Sequence, residues 1–242
     1  MIANKMNIMN SLKKSAIGLL LFSLLLTGFN LSAQRTYPTS ELWKKHVASF
    51  READLKNKPA ENSILFLGSS TFSGWKGMAN SFPDHRIINR GFGGSQLSDL
   101  IFFFQDVVVP YHPCQIIVYE GDNDIASGMW SEQYLQDVIT FVRLVEIFLP
   151  GTPVDFLSIK PSPGRANWTE EYNKANELVR QFAGSKNHLR FIDAAQLLID
   201  AEGNLIEDYY VDDKVHLSPA GYDLWQSAIL PYLSDKALKS ND

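Results

Sequence analysis

The chain has 242 residues, 45% apolar and 20% charged, with 22 Lys and Arg against 27 Asp and Glu for a net charge of −5. That balance excludes disorder, collagen and coiled coil, and the length suffices to bury one sizeable core. A sequence pI near 5.6 with no Lys/Arg-rich stripe argues against nucleic acid, whose phosphates require clustered positive charge, and leaves small molecules as the expected partners.

The first segment departs from the rest. Lys5, Lys13 and Lys14 are the only charges before Arg35; an apolar stretch over 16–26 follows, broken by Gly18 and Ser23, and then the small-residue segment Leu31-Ser32-Ala33. This order predicts a cleaved secretory signal peptide over 1–33, with an apolar middle too short for a comfortable membrane span. An uncleaved N-terminal anchor is the alternative. Cleavage would remove three lysines and no acid, leaving 209 residues with a net charge of −8 and no integral membrane span. The expected location is periplasmic or extracellular. Residues 34–58 read as a leader and a helix packing on the domain, and 59–242 as the domain itself. A lone cysteine cannot form an internal disulfide, so a packed core must hold the fold; Cys114 reads as a small buried hydrophobe rather than a catalytic thiol.

Short apolar runs then recur at 64–67, 86–88, 116–119, 154–159 and 189–192, each ending in glycine, proline or small polar residues. They read as strands, and near-continuous apolarity is what parallel strands covered on both faces require. Helical spacing separates them. One stripe runs through Tyr134, Leu135, Val138, Phe141, Val142, Val145 and Phe148; another runs through Trp168, Tyr172, Ala175, Leu178, Val179 and Phe182 and stops at Gly184. Ser218-Pro219 reads as an N-cap and first-turn proline opening a last helix through Tyr222, Trp225 and Ile229. The alternation predicts an α/β domain of about 200 residues, a parallel sheet between two helix layers.

Ligands in such sheets bind beyond the carboxyl ends of the strands. Four loops there carry unusual residues. Gly68-Ser69-Ser70-Thr71 follows the first strand: Ser70 is a candidate nucleophile, or Gly68 to Thr71 line a phosphate or flavin site, or the hydroxyls simply cap a helix. Asp213 and His216, three residues apart before the last helix, suit a carboxylate orienting an imidazole so that its far nitrogen takes a proton from serine. Gly94 can present a backbone N–H and Asn123 a side-chain NH₂ to a developing oxyanion. Taken singly, Gly91 to Gly94 is also a tight turn and Asn123 a turn former.

As a set, the four loops resemble the sequence blocks of the SGNH (GDSL-type) hydrolases over residues 60 to 234. Ile64-Leu65-Phe66-Leu67-Gly68-Ser69-Ser70-Thr71 is similar to the first block, Asn89-Arg90-Gly91-Phe92-Gly93-Gly94 to the second, Gly121-Asp122-Asn123-Asp124 to the third and Asp213-Lys214-Val215-His216-Leu217-Ser218 to the last. The resemblance implies a catalytic set of Ser70, Asp213 and His216, an oxyanion hole of Ser70 N–H, Gly94 N–H and Asn123, and no cofactor. It also implies a flavodoxin-like, three-layer α/β/α sandwich with five parallel strands in the order 2-1-3-4-5. One departure stands out: the family's Gly-Asp-Ser reads Gly68-Ser69-Ser70 here.

The expected function is that of an exported serine ester hydrolase removing acetyl or other short acyl groups from carbohydrate. A lysophospholipase, a thioesterase and a lipid esterase acting like a platelet-activating-factor acetylhydrolase are the enzymatic alternatives; a flavodoxin-like binding protein and a carbohydrate-binding module are the others. His46, His85, His112 and His188 lack ligand spacing, so no metal site is expected. Asn167-Trp168-Thr169 fits a glycosylation pattern but reads as a helix start. Residues 160–165 read equally as a proline-rich turn and as a substrate-contacting loop, and Phe102-Phe103-Phe104 reads as helix core rather than an acyl groove.

Overall fold

In the computed structural model residues 40–239 are described; the expected signal peptide and most of the leader lie outside them. No described helix is long and apolar enough to cross a membrane. Five strands, β1 (Ile64–Gly68), β2 (Ile87–Asn89), β3 (Gln115–Tyr119), β4 (Val154–Leu157) and β5 (Leu189–Ile192), form one parallel sheet in the order β2-β1-β3-β4-β5. Leu65 pairs with Ile88 on one side and Ile116 on the other; Phe156 pairs with Val118 and Phe191. β1, β3 and β4 are buried along their whole length, as continuous apolarity in a two-sided sheet demands.

The helices are α1 (Ser40–Lys56), α2 (Ser70–Gly74), α3 (Met78–Ser81), α4 (Leu97–Phe102), α5 (Phe104–Val107), α6 (Asp122–Ala126), α7 (Ser131–Phe148), α8 (Thr169–Gly184) and α9 (Pro219–Ile229). Because successive strand side chains point to opposite faces, the sheet feeds two cores. Leu65, Leu67, Ile116, Val118 and Phe156 meet α1, α4, α5, α7 and α8; Ile64, Phe66, Ile117 and Tyr119 meet α2, α3 and α9. Aromatic edges lock the second layer, with Tyr119 and Trp225 at a centroid separation of 4.8 Å and Phe66 and Phe72 at 5.3 Å. The result is the three-layer α/β/α sandwich read from the sequence, with the strand order that the family resemblance implied.

Several details differ. β4 ends at Leu157 rather than at 159, because the backbone of Ile159 is satisfied by a side chain: its N–H donates to Asn176 Oδ1 at 2.7 Å and its carbonyl accepts from Asn176 Nδ2 at 2.9 Å. With no neighbouring strand to follow, the chain turns across the carboxyl edge there. Phe103 and Phe104 are core residues as expected, whereas Phe102 is 47% exposed. Cys114 is half-buried at the entrance to β3, its thiol donating to Asn62 O at 3.2 Å, with burial raising its pKa. Ser218 caps α9 by accepting from Gly221 N, with Pro219 in the first turn, and α8 begins at Thr169, both as read.

Gly68 closes β1 against β3 so tightly that a Cβ there would lie 2.4 Å from Tyr119 O. Gly68→Ala should therefore destabilise the fold by about 1–3 kcal/mol through overpacking. Thermal unfolding checks this, and an unchanged melting temperature would contradict the tight approach.

Candidate active site

Ser70 is the first residue of α2, directly after β1, so its backbone N–H has no intrahelical acceptor and its hydroxyl stands at the carboxyl edge. His216 Nε2 lies 2.8 Å from Ser70 Oγ, and His216 Nδ1 lies 2.5 Å from Asp213 Oδ2. A loop with Lys214 in the left-handed region at φ 59° brings the pair together. Within it Asp213 Oδ1 accepts from the backbone N–H groups of Val215 at 2.8 Å and His216 at 2.9 Å. Desolvation raises the Asp213 carboxyl, but the two backbone donors and the His216 ring outweigh it and hold it at about 2. With Asp213 ionised, Nδ1 carries the imidazole proton and the Nε2 lone pair faces the serine hydroxyl. Ser69, the N-cap of α2, makes no side-chain cap, so the bland reading of these hydroxyls is not what the structure shows.

The second loop lies beside Ser70, and the third bonds to the second. Asn89, at the end of β2, accepts from Gly91 N at 2.8 Å and donates to Phe72 O at 2.7 Å, which binds the glycine loop to α2. A Cβ on Gly93 would lie 3.7 Å from Ser70 Cβ. Gly94 is exposed and adopts φ +81°, a conformation that favours glycine, and the Trp43 ring of α1 lies over it. Asn123, in α6, donates from Nδ2 to Ser95 O at 2.9 Å and accepts at Oδ1 from Arg165 Nη2 at 2.8 Å. Ser70, Gly94, Asn123, Asp213 and His216 thus gather at one edge, linked by direct bonds or through a neighbouring residue.

Sequence reading missed what lies beneath. Asp122, 2% exposed, pairs with Lys160 Nζ at 3.7 Å and Arg165 Nη1 at 3.3 Å and accepts from the Tyr119 hydroxyl at 3.2 Å. Lys160, equally buried, donates to Val215 O at 2.8 Å, while Gly164 N donates to Lys214 O at 2.8 Å. Segment 160–165 is therefore a brace between the Asn123 and His216 loops. Behind Gly94, Ser95 Oγ donates to Glu120 Oε1 at 2.6 Å, and Asp124 accepts from Leu97 N at 2.9 Å and Gly121 N at 3.0 Å. Desolvation, added to by Asp124, pushes Glu120 well above its ordinary range; desolvation, partly offset by the backbone donors, lifts Asp124 from 3.8 to about 7. A signal was available: three acids in Glu120-Gly121-Asp122-Asn123-Asp124, immediately after the apolar run Ile116-Ile117-Val118-Tyr119, and two cations in a segment at the same edge.

A cavity of about 870 Å³ lies elsewhere, between α1 and the α4–α5 region, lined by Val47, Leu55, Phe102, Phe103 and Tyr111 among others and by none of the five site residues.

Residues 62–224, about two thirds of the chain, match the GDSL-like Lipase/Acylhydrolase family. Among solved structures, a protein from Streptococcus pneumonia assigned as a platelet activating factor superposes with a TM-score of 0.69 at 22% identity, covering 89% of this chain and 99% of its own. A GDSL-like lipase from Bacteroides thetaiotaomicron gives 0.62 at 19%, covering 81% and 98%. An acetyl-xylooligosaccharide esterase from Geobacillus Stearmophilus gives 0.59 at 16%, covering 76% and 99%. At these identities the likeness is one of fold. No curated protein matches the chain. Fold and family together define a carboxylic ester hydrolase on an α/β sandwich. The chain belongs to the GDSL-like lipase/acylhydrolase family.

Asp124 gives a stability test. Its folded pKa of about 7 exceeds the ordinary 3.8, so its contribution is fully present below 3.8 and is lost as pH rises towards 7. The unfolding free energy should fall across that window, and Asp124→Asn, which cannot ionise, should make the fall shallower, with Glu120 supplying the remainder. Denaturant titrations at stepped pH measure this; equal slopes in the two proteins would refute it.

Proposed function

We propose that the protein is an exported ester hydrolase in which Ser70 attacks the carbonyl carbon. The observation that carries this is the continuous pair of contacts from Ser70 Oγ through the His216 ring to the Asp213 carboxylate. As the new C–O bond forms, His216 Nε2 takes the serine proton, and Asp213 stabilises the resulting imidazolium and holds its tautomer. The electron pair displaced from the carbonyl settles on its oxygen, where the backbone N–H groups of Ser70 and Gly94 and the amide of Asn123 receive it. Collapse expels the alcohol, which takes the proton from His216. Water then attacks the acyl-enzyme, giving its proton to His216, and the tetrahedral adduct releases the acid and restores Ser70.

Short acyl groups on carbohydrate are the proposed substrates. Support comes from the acidic domain, the N-terminal segment's signal-peptide composition and the sharing of this fold with an acetyl-xylooligosaccharide esterase. A lipid ester is the second reading, supported by the sharing of this fold with a GDSL-like lipase. A phosphate or flavin at residues 68–71 is disfavoured because Ser70 is already bonded to His216, with an ionised Asp213 behind it that repels an anion.

Ser70→Ala should lower turnover of p-nitrophenyl acetate by up to ~10⁶ and abolish fluorophosphonate labelling, whereas Asn123→Ala should cost ~10²–10³ with the fold intact. Labelling of Ser70→Ala at the full rate would sink the assignment. A panel of p-nitrophenyl esters from acetate to palmitate beside acetylated glycans decides the acyl length, and an optimum at long chains would favour the lipid reading.

Turnover should fall on acidification, because a protonated imidazole cannot accept the serine proton. A pH profile flat down to about 2, where Asp213 itself protonates, would argue against a histidine base.

A further inference from the structure

Asn123 is held at both ends of its amide. Nδ2 uses one hydrogen on Ser95 O, leaving the second for a ligand, and Oδ1 accepts from Arg165 Nη2. A guanidinium only donates, so its presence at one end of the amide dictates that this end is oxygen and that the NH₂ faces the glycine loop. The two ends are also conjugated. A cation on Oδ1 favours the resonance form with positive character on Nδ2, which makes the remaining N–H a stronger donor, as charge-assisted and chained hydrogen bonds are stronger than isolated ones.

We propose that Arg165 is a positioning residue that orients and polarises the Asn123 amide towards the oxyanion. This rests on the serine-hydrolase reading above and adds a residue outside the triad and the oxyanion donors. Arg165 is itself fixed. Its backbone breaks the 3₁₀ stretch Pro163–Trp168 at φ −129°, ψ 27°, and its N–H donates to Ser162 O at 3.0 Å. Its neighbour Gly164 presses on the acid–base loop so closely that a Cβ would meet Val215 Cγ2 at 2.8 Å and Asp213 O at 3.1 Å. Its other arm is paired with Asp122. Two cations, Lys160 and Arg165, share that one carboxylate, and the Arg165 guanidinium stands on the far side of the amide that meets the developing negative charge. For the same reason the fold should tolerate loss of Arg165, which leaves Asp122 and Lys160 as a balanced pair.

The test is a double-mutant cycle on p-nitrophenyl acetate with Arg165→Met, Asn123→Ala and the combination, and Ser70→Ala as reference. Arg165→Met should lower kcat ~10–100-fold with KM within about twofold of wild type. In the Asn123→Ala background it should add almost nothing, because its effect passes through the amide. Arg165→Lys, with a single point charge in place of the fork, should recover only part of the loss, and it carries the same cycle should Arg165→Met fail to fold. A wild-type kcat in a folded variant, losses that multiply in the double mutant, or a raised KM at unchanged kcat would each overturn the inference. If these occur while Ser70→Ala is inactive, only the role of Arg165 fails; an active Ser70→Ala removes the reading beneath it.

Discussion

Taking a carboxylate out of water costs several kcal/mol unless cations and donors surround it, and Asp122 is buried at the point where three loops of this protein cross. The ion pairs that offset its burial come from Lys160 and Arg165, both on the segment that leaves β4, and each cation has a second attachment. Lys160 reaches Val215 O in the acid–base loop and Arg165 reaches Asn123. Satisfying one buried charge therefore fixes the distance between the imidazole side of the site and its amide side.

The parallel sheet makes that crossing possible. All five strands deliver their ends to one edge, but a short loop from one strand does not by itself reach the loop of a distant one. The exit from β4 is released by Asn176 of α8, which takes over both backbone groups of Ile159 and lets the chain run across the edge. On the other side, Asn89 and the close approach of Gly68 to Tyr119 bring the glycine loop and α2 against β3. α1 adds a cover that lies outside the sheet altogether, with Trp43 over Gly94 and its indole N–H on Asp99.

The carboxylates divide by environment. Asp213 is exposed, bonded by two N–H groups, and kept ionised. Glu120, buried behind the glycine loop among other carboxylates, is held towards its neutral form by desolvation and by Asp124. This division suits the proposed chemistry, because an ionised group behind the oxyanion would oppose the charge that forms there, whereas a neutral acid can still fix the Ser95 hydroxyl.

Much of the fold is legible in the sequence because its signals are local and periodic. Continuous apolar runs identified the five strands, three-four spacing identified α7 and α8, and Ser218-Pro219 marked the start of α9. Ser70, Gly94, Asn123, Asp213 and His216 were legible as a set, through the resemblance of their four loops to the SGNH sequence blocks, although each loop alone has the residue types of an ordinary turn or cap. What escaped were pairings between residues far apart in the chain. Asp122, Lys160 and Arg165 look like ordinary surface charges until folding removes their water, and the end of β4 depended on an asparagine in the following helix. Local chemistry named the groups; only the tertiary structure, by deciding which charges are buried and beside what, set their partners, their protonation and their orientation.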